Sequence, residues 1–153
     1  MEHPDTVNAM NNHAETLRAQ GDLAGARGLH EQVLGLSRRV LGVEHPNTLR
    51  SMNNLALTLR DHGDLAGARS LQEQVLDVRR RVRGAEHPDT SVSAFNLFAT
   101  LLRADEPESA RSLFAQHLAW LPERDPATLG ADQRRIRERL VAHYGLDSPG
   151  AAA

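Results

Sequence analysis

The chain has 153 residues, a formal charge of -2, no cysteine, and 18 basic residues that are all arginine. Near-neutrality argues against nucleic acid or an acidic membrane as partner, and the lack of Cys and Lys removes thiol nucleophiles, cysteine metal sites, lysine Schiff bases and the P-loop lysine. No apolar run approaches the roughly 18 residues needed to span a bilayer, and Met1-Glu2-His3-Pro4 lacks a signal-peptide pattern, so the expected address is cytoplasmic.

The chain repeats itself. Residues 3–44 and 45–86 align without gaps and are identical at 27 of 42 positions. A third copy opens at His87 with the same His-Pro-Asp-Thr and keeps Asn96, Leu97, Leu101, Ala110, Arg111, Leu113, Gln116 and Leu118 in register. It then drifts, as terminal repeats do.

Each copy carries two helical patterns, most cleanly in the second. Pro46, with Asn47 and Thr48 as capping candidates, starts the first helix, whose apolar stripe is Leu49, Met52, Leu55, Ala56 and Leu59. Gly63 and Asp64 end it and begin the next. The second stripe is Leu65, Ala68, Leu71, Val75, Val78 and Val82, closed by Gly84. Neither helix buries its stripe alone, so like units must stack. In the third copy Pro122 is expected to stop the second helix. Residues 123–130 read as a connector and 131–144 as a capping helix, with Ile136, Leu140 and Tyr144 four apart and Gly145 as C-cap. Residues 147–153 read as a frayed tail. The fold expected is all-α: three helix-turn-helix repeats (3–44, 45–86, 87–122) stacked into a solenoid and one C-terminal capping helix, forming a single domain over 1–146.

The pattern around Asn54-Leu55-Ala56, Leu59, Gly63-Asp64-Leu65 and Ala68 resembles the tetratricopeptide repeat. The 42-residue period with His-Pro-Asp-Thr and Asn-Asn-Leu-Ala is similar to the long variant of kinesin light chains and many bacterial signalling proteins. The resemblance covers residues 3 to about 121. It implies a right-handed α-solenoid whose first helices line a concave groove for peptides or protein segments, without catalysis. The chain departs from the pattern at His30 and Gln72, where the family prefers an aromatic, at Phe98, where it prefers a small residue, and at Asp105-Glu106-Pro107, which replaces Gly-Asp in the third turn.

By the same resemblance, the groove face comprises Asn8, Asn11, Asn12, Glu15 and Arg18 in the first copy. Arg50, Asn53, Asn54, Leu57, Arg60 and Asp61 follow in the second, then Phe95, Asn96, Ala99 and Arg103 in the third. Stacking would align Asn12, Asn54 and Asn96 in a ladder that reads a peptide backbone, since an amide both donates and accepts. Alternatively, these asparagines bridge neighbouring repeats. Arg18, Arg60 and Arg103 would meet acidic groups on the ligand. The aromatics gathered in the third copy (Phe95, Phe98, Phe114, Trp120) and Tyr144 suit a core under the last helix, with Phe95 also a candidate ligand anchor.

A metal site shared by His3, His45 and His87 fails on distance, because packed helices lie about 10 Å apart whereas zinc needs nitrogens at about 2.0–2.1 Å. Neither metal nor cofactor is expected. The arginine runs 79–83 and 134–139 read as solvated helix faces. No catalytic signature such as Gly-x-Ser-x-Gly or His-Glu-x-x-His is present. Two alternatives to a protein-binding module stay open: a homo-oligomer assembled through the N-terminal repeat, and a fragment of a larger signalling ATPase.

Overall fold

The structure, a computed structural model, describes residues 4–146. Among these the elements are helices α1 (Pro4–Ala19), α2 (Leu23–Leu41), α3 (Pro46–Asp61), α4 (Leu65–Arg83), α5 (Pro88–Arg103), α6 (Pro107–His117) and α7 (Ala131–Tyr144), with a 3-10 turn at Pro126–Thr128 and no strand. The chain divides into two compact units, Met1–Val75 and Leu76–Ala153, so the boundary falls inside α4. His3 and residues 147–153 lie outside the described residues.

Local chemistry sets the helix ends. His45 starts α3 by accepting the Asn47 backbone N–H on its Nδ1 at 3.1 Å, and His87 does the same for Asp89 at 3.1 Å ahead of α5. The cap is therefore the histidine itself, rather than Asn47 or Thr48. The Thr48 hydroxyl instead donates to the Gly42 carbonyl at 2.7 Å, tying the start of α3 to the end of α2. Asp22 and Asp64 cap α2 and α4, each accepting at 2.9 Å from the backbone N–H of Gly25 or Gly67. That cap explains the glycine. A Cβ on Gly67 would stand 2.7 Å from Asp64 Oδ2.

The turns closing α1, α3 and α5 share one geometry. In the second, Gly63 has φ 91° and the Asp64 N–H reaches back to the Leu59 carbonyl at 2.8 Å. In the third, Asp105 takes the same left-handed role at φ 57° and the Glu106 N–H reaches Leu101 at 3.0 Å. The departure from Gly-Asp thus leaves the turn intact, because aspartate is among the few residues that tolerate this region.

The first unit packs α2 between α1 and α3. Its core is aliphatic, with Ala14, Ala26, Val33, Leu34, Leu49, Met52, Leu55, Ala56 and Leu59 buried. Each fully buried Leu, Val or Met contributes about 1.5–3 kcal/mol relative to exposure. The α4 stripe is shorter than its spacing suggests: Ala68 and Val75 are buried but Val82 is 61 % exposed, while Gln72 and Leu76 lie buried instead.

The second unit is built on aromatics. Phe98 stands 6.2 Å from Phe95, 6.5 Å from Phe114 and 5.2 Å edge-on from Tyr144, within a cluster that includes Leu118, Leu121, Ile136 and Leu140. Helix α6 stops at His117, before Pro122, and the following turns carry fully buried Leu118 and Leu121 into that core. Helix α7 is fixed by Gln133, whose Nε2 donates to the Glu86 carbonyl at 2.8 Å and to Ser91 Oγ at 3.1 Å. It ends on Gly145 at φ 62°, with the Leu146 N–H reaching the Leu140 carbonyl.

Candidate functional site

Within the first unit the residues read as a binding face are drawn from α1 and α3. Asn12 is exposed and Asn54 half-buried, and neither amide has a partner among the described residues. Asn8 is exposed and accepts from Arg50 Nη2 at 2.8 Å. Arg18 is already engaged: its Nη1 donates to Asp61 at 2.8 Å, and its Nε and Nη2 donate to Glu15 at 3.3 and 3.0 Å. Burial pulls the Arg18 pKa down, but the hydrogen bonds to Asp61 and Glu15 outweigh it and leave the pKa raised. Asn53, Leu57 and Arg60 are half-buried.

Two of the expected ligand-facing residues are placed elsewhere. Asn11 is only 5 % exposed, and Phe95 only 8 % exposed in the other unit. The reason is helical register: each lies three residues before a buried position of its own helix, Ala14 and Phe98, and so shares its packing face. Phe95 is further covered by Arg139 of α7, whose guanidinium carbon lies 5.7 Å from the ring centroid. In the same unit Asn96 and Ala99 are half-buried and Arg103 is exposed.

A buried histidine underlies the face of the first unit, and sequence reasoning missed its role. His30 is 0 % exposed, its Nδ1 is 3.0 Å from Thr58 Oγ1, and its Nε2 is 3.4 Å from Glu15 Oε1. Burial lowers its pKa against the attraction of Glu15, so the ring is neutral at pH 7. The available signal was a polar ring at the position where the resemblance calls for an aromatic.

The remaining candidates resolve into structural roles. His45 and His87 use Nδ1 in caps, and among the described residues no group of three or more His, Asp or Glu is set to hold a metal. In the arginine runs, Arg79 bonds to the start of α5, Arg134 donates to the Leu129 carbonyl at 2.8 Å, and Arg135 pairs with Asp132 at 2.7 Å. No described helix is long and apolar enough to cross a membrane. Chemically, the arrangement offers amides, paired ions and small apolar surfaces, the means of polypeptide recognition.

Comparison with known proteins agrees with this inventory. None of the curated proteins matches the chain. Among solved structures it is similar to the nearly identical TPR-like repeats of a kinesin light chain from Podosopora anserina, at 25 % identity and TM-score 0.76 over 98 % of this chain and 71 % of that one. A single-substitution variant of that protein gives 24 % and 0.78, over 96 % and 69 %. BtubC (BKLC) from P. vanneervenii shares the fold at 15 % identity and TM-score 0.73, with this chain spanning 63 % of its length. The tetratricopeptide repeat pattern itself matches residues 5–81 and 59–122. The chain therefore belongs to the tetratricopeptide repeat family, in a kinesin-light-chain-like form, whose fold generally mediates protein–protein interactions.

Proposed function

We propose that the chain is a protein- or peptide-binding scaffold module and that the exposed sides of its first helices receive the ligand. The observation that carries this reading is the pair Asn12 and Asn54. Both sit at the same register on α1 and α3, both retain solvent access, and neither side-chain amide has a partner among the described residues. A side-chain amide with solvent access and no internal partner can serve a peptide backbone in both directions. Asn53, Leu57 and Arg60 flank the pair, and Asn96 and Arg103 are the corresponding candidates within the second unit taken by itself. Because Arg18 is already engaged by Glu15 and Asp61, it favours a ligand that contacts this ion cluster as a whole over one that captures a free guanidinium.

The test is affinity capture from the source cell with the wild type and an Asn12→Ala, Asn54→Ala double variant of unchanged circular dichroism. The expected result is loss of most captured partner, about tenfold or more for two interface hydrogen bonds. Equal recovery by both would remove the reading.

Self-assembly through α1 is a second reading, favoured by one observation. Thr48, Ser51 and Thr58 are buried in α3, whereas their α1 counterparts Thr6, Ala9 and Thr16 are exposed, so a helix-packing face stands open. His13, at the position of buried Leu55, places a polar ring in the middle of that face. Light scattering that reports a strict monomer through the micromolar range would eliminate it.

A further inference from the structure

Asn8 and Asn12 are one helical turn apart on α1, and Arg50 and Asn54 are one turn apart on α3. Each pair therefore shares a helix face, with its members about 6 Å apart along the axis. The two helices run in the same direction, because Asn8 meets Arg50 near their starts and Arg18 meets Asp61 near their ends. Within the first unit the four residues form two rows across the helices, Asn12 with Asn54 and Asn8 with Arg50.

The two rows differ in chemistry. Arg50 Nη2 donates to Asn8 Oδ1 at 2.8 Å, and both residues are exposed. A guanidinium has no acceptor, so this bond fixes the amide: its oxygen faces Arg50 and its N–H groups turn away. Asn8 is the partner the structure gives Arg50, and no described carboxylate pairs with it. Arg18, by contrast, is neutralised by Glu15 at 3.0 Å and Asp61 at 2.8 Å. The row of Asn8 and Arg50 thus presents N–H donors and an uncompensated positive charge, whereas the row of Asn12 and Asn54 presents donors and acceptors alike.

We propose that Arg50, oriented by Asn8, receives an acidic side chain of the polypeptide whose main chain lies along Asn12 and Asn54. The proposal rests on the reading of those two asparagines as ligand contacts, and it moves the anion contact from Arg18 to Arg50. Charge complementarity selects the anion: an exposed guanidinium without an acidic partner suits a carboxylate, which matches its planar fork. The spacing of the rows selects the source. A carboxylate at a chain end belongs to the main chain and would stay at the row of amides. An Asp or Glu side chain extends away from the main chain and covers the step of about 6 Å to Arg50.

The test is selection of a random heptapeptide phage library on the immobilised whole chain, run in parallel on Arg50→Gln, Asn8→Ala and the Asn12→Ala, Asn54→Ala double variant, each of unchanged circular dichroism. The wild type should enrich peptides carrying an internal Asp or Glu, and Arg50→Gln should enrich peptides without that preference. An enriched peptide, resynthesised with both ends capped, should bind the wild type about fivefold more tightly than its Gln or Asn analogue, as suits one exposed ion pair. Arg50→Gln should bind the two forms equally, and Asn8→Ala should lose part of the difference because the guanidinium is no longer held. Enrichment without acidic residues, an undiminished acid preference in Arg50→Gln, or dependence on a free C-terminal carboxylate would each overturn the proposal and leave the role of Asn12 and Asn54 standing. Equal binding by the double variant, or no enrichment on the wild type, would remove that role and the proposal with it.

Discussion

Position 30 shows how one side chain can carry a property that its repeat partners lack. His30 occupies a buried site that the second copy fills with Gln72, and burial lowers its pKa despite Glu15 Oε1 at 3.4 Å. The unfolded chain binds a proton near pH 6.5, whereas the folded chain does so only at lower pH. The stability due to neutral His30 is therefore fully present above about pH 6.5 and is lost as pH falls from there through the folded pKa, at about 1.4 kcal/mol per unit of difference. Glu15, Arg18 and Thr58 are the groups that face the ring. His117, also lowered by burial and then by Arg80, adds a slope of the same sign in the other unit. Urea midpoints should fall between pH 7.5 and 5.5 in the wild type and fall less in His30→Gln. An identical drop in both would show that His30 is not the titrating group.

At the scale of elements, a buried polar side chain, Gln133, joins α7 to the start of α5 beside the apolar contacts of Ile136 and Leu140. Gln133 is 4 % exposed and joins α7 to the Glu86 carbonyl and to Ser91 at the start of α5, while its Oε1 accepts from the Gly130 N–H at 3.3 Å. Its removal leaves buried polar groups unpaired, which costs about 1–3 kcal/mol each. Gln133→Ala should destabilise the second unit by at least about 1 kcal/mol, read from the unfolding transition of Trp120 fluorescence, whereas a surface change such as Arg135→Ala should have little effect. Asp105→Gly should act in the opposite direction. It replaces a side chain held at φ 57° by the residue that adopts this conformation freely, for a gain of up to about 1 kcal/mol in the same signal.

Over the whole molecule, the chain divides at α4 into two compact units with different cores, one aliphatic and one aromatic. The only Trp, Trp120, lies in the second unit, so its fluorescence reports that unit alone, whereas circular dichroism reports both. Gly63→Ala strains a turn of the first unit at φ 91° and should cost about 1 kcal/mol there. The expected outcome is a larger midpoint shift by circular dichroism than by Trp120 fluorescence. Coincident shifts would mean that the chain unfolds as one cooperative unit.

The seven helices of the described residues were legible in the sequence, because proline starts, glycine stops and periodic apolar residues are local signals repeated at a fixed spacing. His-Pro, Gly-Asp and the four-residue spacing of Ile136, Leu140 and Tyr144 each marked an element that exists. The binding face was less legible. Asn11 and Phe95 were grouped with Asn12 and Asn96, one position away, and helical rotation decides which of two neighbours faces water. That rotation is set by the partner helix, as α7 shows by covering Phe95 with Arg139. Sequence alone thus determined the repeat, the helices and the family. Only tertiary structure decided that Arg18 is already paired, that His30 is buried beside Glu15, and that Ser37 meets Ser51 where Arg79 meets Ser93. These are properties of the space between helices, and the register of a single helix does not contain them.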